Sequence, residues 1–127
     1  MEDWKVLLID DEHEFVSTLA ERMSLRGVKA DVAYEGVEAL RLMAADPPKV
    51  VVLDLMMPGM SGLAVLEVIK SEYPEIEVIL LTGMGGTKEG IEGMRLGAFD
   101  YLAKPVDIDT LMQKIGEAMN KSHGKVE

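Results

Sequence analysis

The chain has 127 residues, no cysteine and a formal net charge of −10. This length suits one domain with a substantial core, and the lack of cysteine excludes disulfide and thiolate chemistry. The charge argues against direct nucleic-acid binding, which needs clustered Lys and Arg. The apolar runs are too short for a bilayer, and the first run, over 6–9, lacks the basic flank and length of a signal peptide. We therefore expect a cytoplasmic protein without membrane insertion. One domain is predicted over residues 1–121, followed by a frayed tail over 122–127.

Five short apolar runs are typical of strands, and four of them end at a polar or charged residue. The runs cover residues 5–9, 28–33, 50–53, 77–81 and 99–103. Asp10 and Asp11 follow the first run, Asp54 the third, Thr82 the fourth and Lys104 the fifth. An Asp against a core is costly unless it is paired, hydrogen-bonded or bound to a cation. We therefore interpret Asp54 as a reactive group at the end of a central strand.

Five helices are predicted between and after these strands, because apolar residues recur there at helical spacing. The fourth helix, over 87–96, is expected to be the most mobile, since each of its glycines lowers helix propensity by roughly 1 kcal/mol relative to Ala. The apolar positions are, in chain order, Phe15, Val16, Leu19, Ala20 and Met23; Val37, Leu40 and Met43; Leu63, Leu66 and Ile69; Ile91 and Met94; and Ile108, Leu111, Met112, Ile115 and Met119.

The alternation of strands and helices predicts right-handed βαβ units and a parallel sheet. A Rossmann half would carry a glycine-rich fingerprint after its first strand, where Asp10 and Asp11 stand instead. We therefore predict an α/β, flavodoxin-like, doubly wound five-stranded parallel sheet with the order 2-1-3-4-5 and five helices. This order brings Asp10 and Asp11 beside Asp54, with Thr82 and Lys104 on the same rim.

Three carboxylates at one rim repel one another, so a cation is expected among them. Oxygen ligands without nearby His or Cys favour Mg²⁺. A carboxylate can also act as a nucleophile and form an aspartyl phosphate. Mg²⁺ and Lys104 could then stabilise the transferring phosphoryl group, while a hydroxyl such as that of Thr82 donates to one of its oxygens.

With these residues in place, the chain resembles the receiver domains of two-component response regulators over essentially its whole length. The resemblance implies that Asp54 accepts a phosphoryl group from the phosphohistidine of a histidine kinase or a phosphotransfer protein. It rests on four stretches: Asp10-Asp11; Asp54 with the segment 57–62 after it; Leu81-Thr82-Gly83; and the segment 97–105, which ends in Ala103-Lys104-Pro105.

The family's site roles are also implied by the resemblance. Asp11, Asp54 and the carbonyl of Met56 would ligate Mg²⁺, with Asp10 acting mainly through water. Lys104 would pair with the phosphoryl group, and its bond to Pro105 would be cis. Thr82 and Tyr101 would form a switch pair that reshapes the surface of the fourth helix, fifth strand and fifth helix toward a downstream target or output domain.

Such a protein is not an enzyme beyond catalysing its own phosphorylation and slow autodephosphorylation. In this family the positions two after the phosphorylated Asp and two after the switch hydroxyl tune the phosphoryl lifetime. Both positions are methionines here, Met56 and Met84. We therefore expect slow loss of the phosphoryl group.

Several alternatives stay open. Asp10, Asp11 or Glu12 could simply cap the first helix, Lys104 could be a solvated lysine, and Tyr101 could be ordinary packing. A Mg²⁺-dependent phosphatase is a competing function, although such enzymes usually carry a second Asp where Met56 stands. A flavodoxin-like cofactor binder is another, although the acids would repel a phosphate unless Mg²⁺ were bound. The sequence fits equally a stand-alone receiver and a receiver cut from a longer regulator or hybrid kinase.

Overall fold

Five parallel strands form the centre of the molecule. A computed structural model describes residues 4–83 and 86–122. The strands are β1 (Val6–Ile9), β2 (Ala30–Ala33), β3 (Val50–Asp54), β4 (Glu77–Thr82) and β5 (Asp100–Ala103). They pair in the order β2-β1-β3-β4-β5, and all four pairings are parallel. The predicted order 2-1-3-4-5 is confirmed.

Five helices connect and follow the strands, as predicted. They are α1 (His13–Leu25), α2 (Gly36–Ala45), α3 (Gly62–Glu72), α4 (Thr87–Arg95) and α5 (Ile108–Ser122). The fourth helix, predicted over 87–96, ends one residue earlier. Ser122, the first residue of the predicted tail, belongs to α5, and residues 123–127 lie outside the described part of the chain.

The sheet is buried on both faces because helices cover each side. Every residue of β1, β3 and β4 is buried, which explains why these strands read as continuous apolar runs rather than alternating ones. Successive side chains point to opposite faces. Leu7 and Ile9 therefore pack in the core beneath α2 and α3, whereas Val6 and Leu8 pack in the core beneath α1 and α5.

Within residues 4–83 and 86–122, we find no helix with the length and apolar character required to cross a membrane.

The predicted apolar stripe of α2 is partly wrong. Val37 is exposed, and the buried residues of this helix are Gly36, Ala39 and Met43. These three positions are spaced by three and four residues, so they share one face of the helix. Val37 follows Gly36 by one residue and therefore points about a quarter turn away from the core.

The predicted core positions of α4 are also wrong. Ile91 is 50% exposed and Met94 is 40% exposed, whereas Gly90 and Gly93 are the buried residues of this helix. A Cβ on Gly90 would lie 2.6 Å from the ring of Tyr101, and a Cβ on Gly93 would overlap the side chain of Leu80. The sheet side chains occupy the space that helix side chains would need, so glycines face the sheet.

Gly62 allows α3 to begin directly against the end of β3. An added Cβ at this position would lie 2.5 Å from the carbonyl oxygen of Asp54 and 2.6 Å from the Cα of Leu55. Both neighbours are backbone atoms of the segment that holds Asp54, so they cannot turn aside as a flexible side chain can. The loop between Asp54 and α3 is therefore closed tightly by the absence of a side chain.

Replacing Gly62 with Ala should lower the free energy of unfolding by about 1–3 kcal/mol, because the methyl group forces backbone atoms apart. Urea denaturation followed by circular dichroism measures this change. The matched control is Gly83→Ala, since no atom lies within 4 Å of a Cβ at Gly83 and its φ is not positive. Equal stability of Gly62→Ala and the parent protein would contradict the proposed close contact.

Candidate functional site

The carboxyl ends of β1 and β3 bring three aspartates together. Asp10 follows β1, Asp54 is the last residue of β3, and the neighbouring pair Ile9 and Leu53 sets their register. Carboxylate oxygens of Asp10, Asp11 and Asp54 all lie within 4.8 Å of one another. Asp10 and Asp54 are buried, and Asp11 is half-buried. The predicted grouping at the topological switch point is therefore present.

Lys104 reaches this group of acids from the end of β5. Its Nζ lies 3.0 Å from Oδ2 of Asp10 and 3.6 Å from Oδ1 of Asp54. The backbone N–H of Lys104 donates to the carbonyl of Thr82 at 2.7 Å, so the end of β4 positions the residue. The bond from Lys104 to Pro105 is cis, as predicted.

Glu12 is a member of this cluster that the sequence analysis missed. Its Oε1 accepts a hydrogen bond from Lys104 Nζ at 2.5 Å. Glu12 immediately precedes α1, but its side chain makes no capping hydrogen bond, so the capping alternative is wrong for this residue. The Lys104 ammonium also lies 4.5 Å from the centroid of the Phe15 ring. In the sequence, Glu12 directly follows Asp10 and Asp11 after the first strand, and this position was the signal that it could join the cluster.

Burial and charge shift the titration of both central groups. Burial, and after it the charge of Asp10, raise the pKa of Asp54 to about 6, although Lys104 and the backbone N–H of Met56 oppose this rise. Burial acts to lower the pKa of Lys104, but the hydrogen bond to Glu12, the close contact with Asp10 and the nearby acid charges outweigh it, so this pKa is raised. Lys104 therefore stays cationic at neutral pH.

Because the pKa of Asp54 is raised, ionisation of this carboxyl should destabilise the metal-free fold as the pH rises. Between about pH 4 and pH 6 the folded carboxyl stays protonated while the unfolded carboxyl, with an ordinary pKa of 3.8, is ionised. The folded state then binds more protons, so raising the pH favours unfolding. With a chelator present, the free energy of unfolding of Asp54→Asn minus that of the parent protein should grow by about 1–3 kcal/mol from pH 4 to pH 7. Denaturation at several pH values measures this, and a constant difference would contradict it.

Thr82 and Tyr101 lie on one face of the sheet. Tyr101 pairs with Leu80 in the register between β4 and β5. Thr82 follows Leu80 by two residues and so shares its face. Thr82 is buried, whereas Tyr101 is half-buried with its ring against Gly90 of α4. The two residues of the predicted switch pair therefore lie on the same face of neighbouring strands.

A cavity of about 240 Å³ opens at this rim. Met56 is exposed at its edge, and the backbone N–H of Met56 donates to Oδ1 of Asp54 at 3.3 Å. Met84, the second methionine expected to tune the phosphoryl lifetime, lies outside the described residues. The lining residues are Asp11, Glu12, Asp54, Met56, Gly83 and Lys104.

The donor set fits a hard divalent cation. Oδ2 of Asp10 is buried and accepts no well-aligned hydrogen bond from the described residues, although Lys104 Nζ lies 3.0 Å away. Lys104 brings one positive charge to three clustered aspartates, so the group keeps a net negative charge that a cation can offset. Oxygen ligands of this kind match the preference of Mg²⁺. These residues therefore agree with the Mg²⁺ site that the sequence analysis expected.

A doubly wound parallel sheet with acids and a lysine at its switch point defines an α/β protein whose binding site lies at the carboxyl ends of its strands. A family model described as the response regulator receiver domain matches residues 6–116. The chain therefore belongs to the response regulator receiver domain family.

Named relatives support this assignment. The response regulator MprA of Mycobacterium ulcerans (strain Agy99) is 31% identical over 93% of this chain and 51% of its own length. The acid tolerance regulatory protein ActR of Rhizobium meliloti (strain 1021) is 37% identical over 91% of this chain and 61% of its own length. The chain thus spans about half to three fifths of the length of these curated relatives.

A solved structure shows the same fold. The response regulator receiver domain protein from Clostridium thermocellum superposes with a TM-score of 0.90 at 34% identity, covering 96% of this chain and 98% of that one. The predicted flavodoxin-like receiver fold is therefore confirmed.

Proposed function

We propose that this receiver domain accepts a phosphoryl group on Asp54 from a phosphohistidine and passes the signal to a downstream partner or output domain. The observation that carries the proposal is the placement of Asp54. It is a buried carboxylate at a strand end, with Lys104 Nζ 3.6 Å from its Oδ1 and a cavity of about 240 Å³ beside it. The donor would be a histidine kinase or a phosphotransfer protein.

In the proposed reaction an oxygen of Asp54 attacks the phosphorus, the new P–O bond forms, and the P–N bond of the phosphohistidine breaks. Asp11, Asp54 and the carbonyl of Met56 would hold Mg²⁺, with Asp10 contributing through water, and the ion when bound offsets charge on the phosphoryl oxygens. Lys104 offsets further charge from the other side. These roles follow the family resemblance, and the clustering of the acids supports them.

The proposed output is a change in the surface formed by α4, β5 and α5. The Thr82 hydroxyl would donate to a phosphoryl oxygen, and the Tyr101 ring would turn toward the space vacated. The common sheet face of Thr82 and Tyr101 and the packing of the Tyr101 ring against α4 support coupling between the site and this surface.

Incubation with a small acyl phosphate and Mg²⁺ tests the proposal. Intact mass should rise by one phosphoryl group, chelation of Mg²⁺ should prevent the rise, and peptide mapping should place the group on Asp54. No gain with saturating Mg²⁺, or a gain mapped elsewhere, would overturn it. Steady turnover of a small phosphate ester would instead favour the phosphatase alternative.

Replacing Met56 with Asn should speed the loss of the phosphoryl group several-fold. Met56 lines the cavity beside Asp54, and a thioether is only a weak acceptor, so it cannot hold an attacking water as an amide can. Intact mass over time after removal of the donor measures the rate. Leu25→Asn, an exposed position on α1, is the control, and equal or faster loss in the parent protein would contradict the prediction.

A further inference from the structure

Among the described residues, Lys104 has three carboxylate neighbours, and Glu12 is the one outside the aspartate group. Nζ lies 2.5 Å from Glu12, 3.0 Å from Asp10 and 3.6 Å from Asp54. We propose that Glu12 is a positioning residue that holds the Lys104 ammonium and is displaced when a phosphoryl group occupies Asp54. This inference rests on the proposed function, because it assigns a competitor for the lysine of that site.

Glu12 holds the donor of the ammonium for which a phosphoryl oxygen would compete. A lysine ammonium has three N–H donors, and three carboxylates surround it here. Among the described residues only Glu12 accepts a well-aligned hydrogen bond from Nζ, so a phosphoryl oxygen that takes this donor replaces Glu12. The shortest contact is the one to Glu12.

Exposure identifies Glu12 as the partner that can leave. Its side chain is 60% exposed, whereas that of Asp10 is only 2% exposed. Water can solvate Glu12 once the lysine moves away, but the buried Asp10, whose Oδ2 lies 3.0 Å from Nζ, would lose its ion pair with Lys104. Leaving a buried charge unpaired is far more costly than separating an exposed ion pair.

Glu12 borders the cavity in which a phosphoryl group on Asp54 would lie. Glu12, Lys104 and Asp54 line the same cavity of about 240 Å³. Phe15, one turn further along α1, lies under the ammonium at 4.5 Å, so the start of α1 holds the lysine through two residues. Glu12 therefore offers a carboxylate to Lys104 in the space where phosphoryl oxygens would compete for it.

The test measures binding of beryllofluoride, a phosphoryl mimic, to the full chain at saturating Mg²⁺. Fluorine NMR of the bound ligand gives the affinity for the parent protein, Glu12→Gln and Glu14→Gln. Glu12→Gln should bind up to roughly fivefold more tightly, the range expected for removing one exposed ion pair. Glu14→Gln removes the same charge from the first turn of α1 and should bind as the parent does.

A second measurement separates contact with Lys104 from a general effect of charge. In the ligand-free protein, an amine-reactive ester should label Lys104 several-fold faster in Glu12→Gln than in the parent or Glu14→Gln. Unchanged or weaker beryllofluoride binding by Glu12→Gln would overturn the inference. Tighter binding with unchanged Lys104 labelling would also overturn it, because the effect would then not pass through the lysine.

The same experiment distinguishes this inference from the proposed function. If the parent protein binds beryllofluoride and gains a phosphoryl group while Glu12→Gln behaves identically, only the role of Glu12 is wrong. If the parent protein does neither with Mg²⁺ present, the proposed function itself is wrong.

Discussion

Replacing Asp54 with Asn is expected to abolish the gain of a phosphoryl group from a small acyl phosphate. The amide has nearly the shape of the carboxylate, so it fits the buried strand end, but it lacks the nucleophilic oxygen that forms the aspartyl phosphate. Intact mass at successive times after addition of the donor and Mg²⁺ measures the effect.

The matched control for this substitution is Asp31→Asn, which removes the same charge from an exposed position on β2. This variant should gain one phosphoryl group at the parent rate. Equal phosphorylation of Asp54→Asn and the parent protein would show that another group is the acceptor.

Replacing Lys104 with Met should slow phosphorylation from the same donor by roughly 100- to 1000-fold, the effect expected for losing one preorganised charge partner of a transferring group. The Lys104 side chain is only 15% exposed, and its Nζ lies 3.6 Å from Oδ1 of Asp54. Its charge is therefore screened little by solvent. Initial rates at saturating Mg²⁺ measure the change.

The loss of Lys104 also leaves Asp10 and Asp54 without their cationic partner, so the fold should lose stability. Denaturation with and without Mg²⁺ checks that the variant is folded under the assay conditions. Lys29→Met, at an exposed position between α1 and β2, is the control and should react as the parent does. A Lys104→Met protein that is folded and reacts at the parent rate would contradict the assigned role.

The sheet order could be predicted because its determinants are local. Buried parallel strands appear as short β-branched runs, of which residues 50–53 are the strongest example. The acids that follow two of these runs exclude a glycine-rich phosphate loop, and this exclusion selects between the two doubly wound orders. Asp10, Asp54 and Lys104 meet as expected because each stands at the end of a strand, where topology alone fixes position.

The helix faces of α2 and α4 were harder to predict because hydrophobic periodicity takes no account of available space. Ile91 and Met94 are the most apolar residues of α4, yet the ring of Tyr101 and the side chain of Leu80 fill the interface. Only Gly90 and Gly93 fit there. The sequence contains these glycines, but their role depends on side chains that arrive from another element.

Glu12 could not be assigned for a related reason. Its contact with Lys104 joins residues 92 positions apart and depends on the direction of a long, flexible side chain. Strand topology places the Cα atoms of both residues at one rim, but it does not determine which of several acids the ammonium contacts. In the structure the ammonium lies closest to the exposed Glu12, with the Phe15 ring 4.5 Å away.

The glycine face of α4 has an energetic consequence. This helix buries two residues, and neither has a side chain. If α4 moved away from the sheet, the apolar surface newly exposed to water would belong chiefly to Leu80 and Tyr101 rather than to the helix. The hydrophobic cost of that movement is therefore set by β4 and β5, the strands that also carry Thr82 and lead to Lys104.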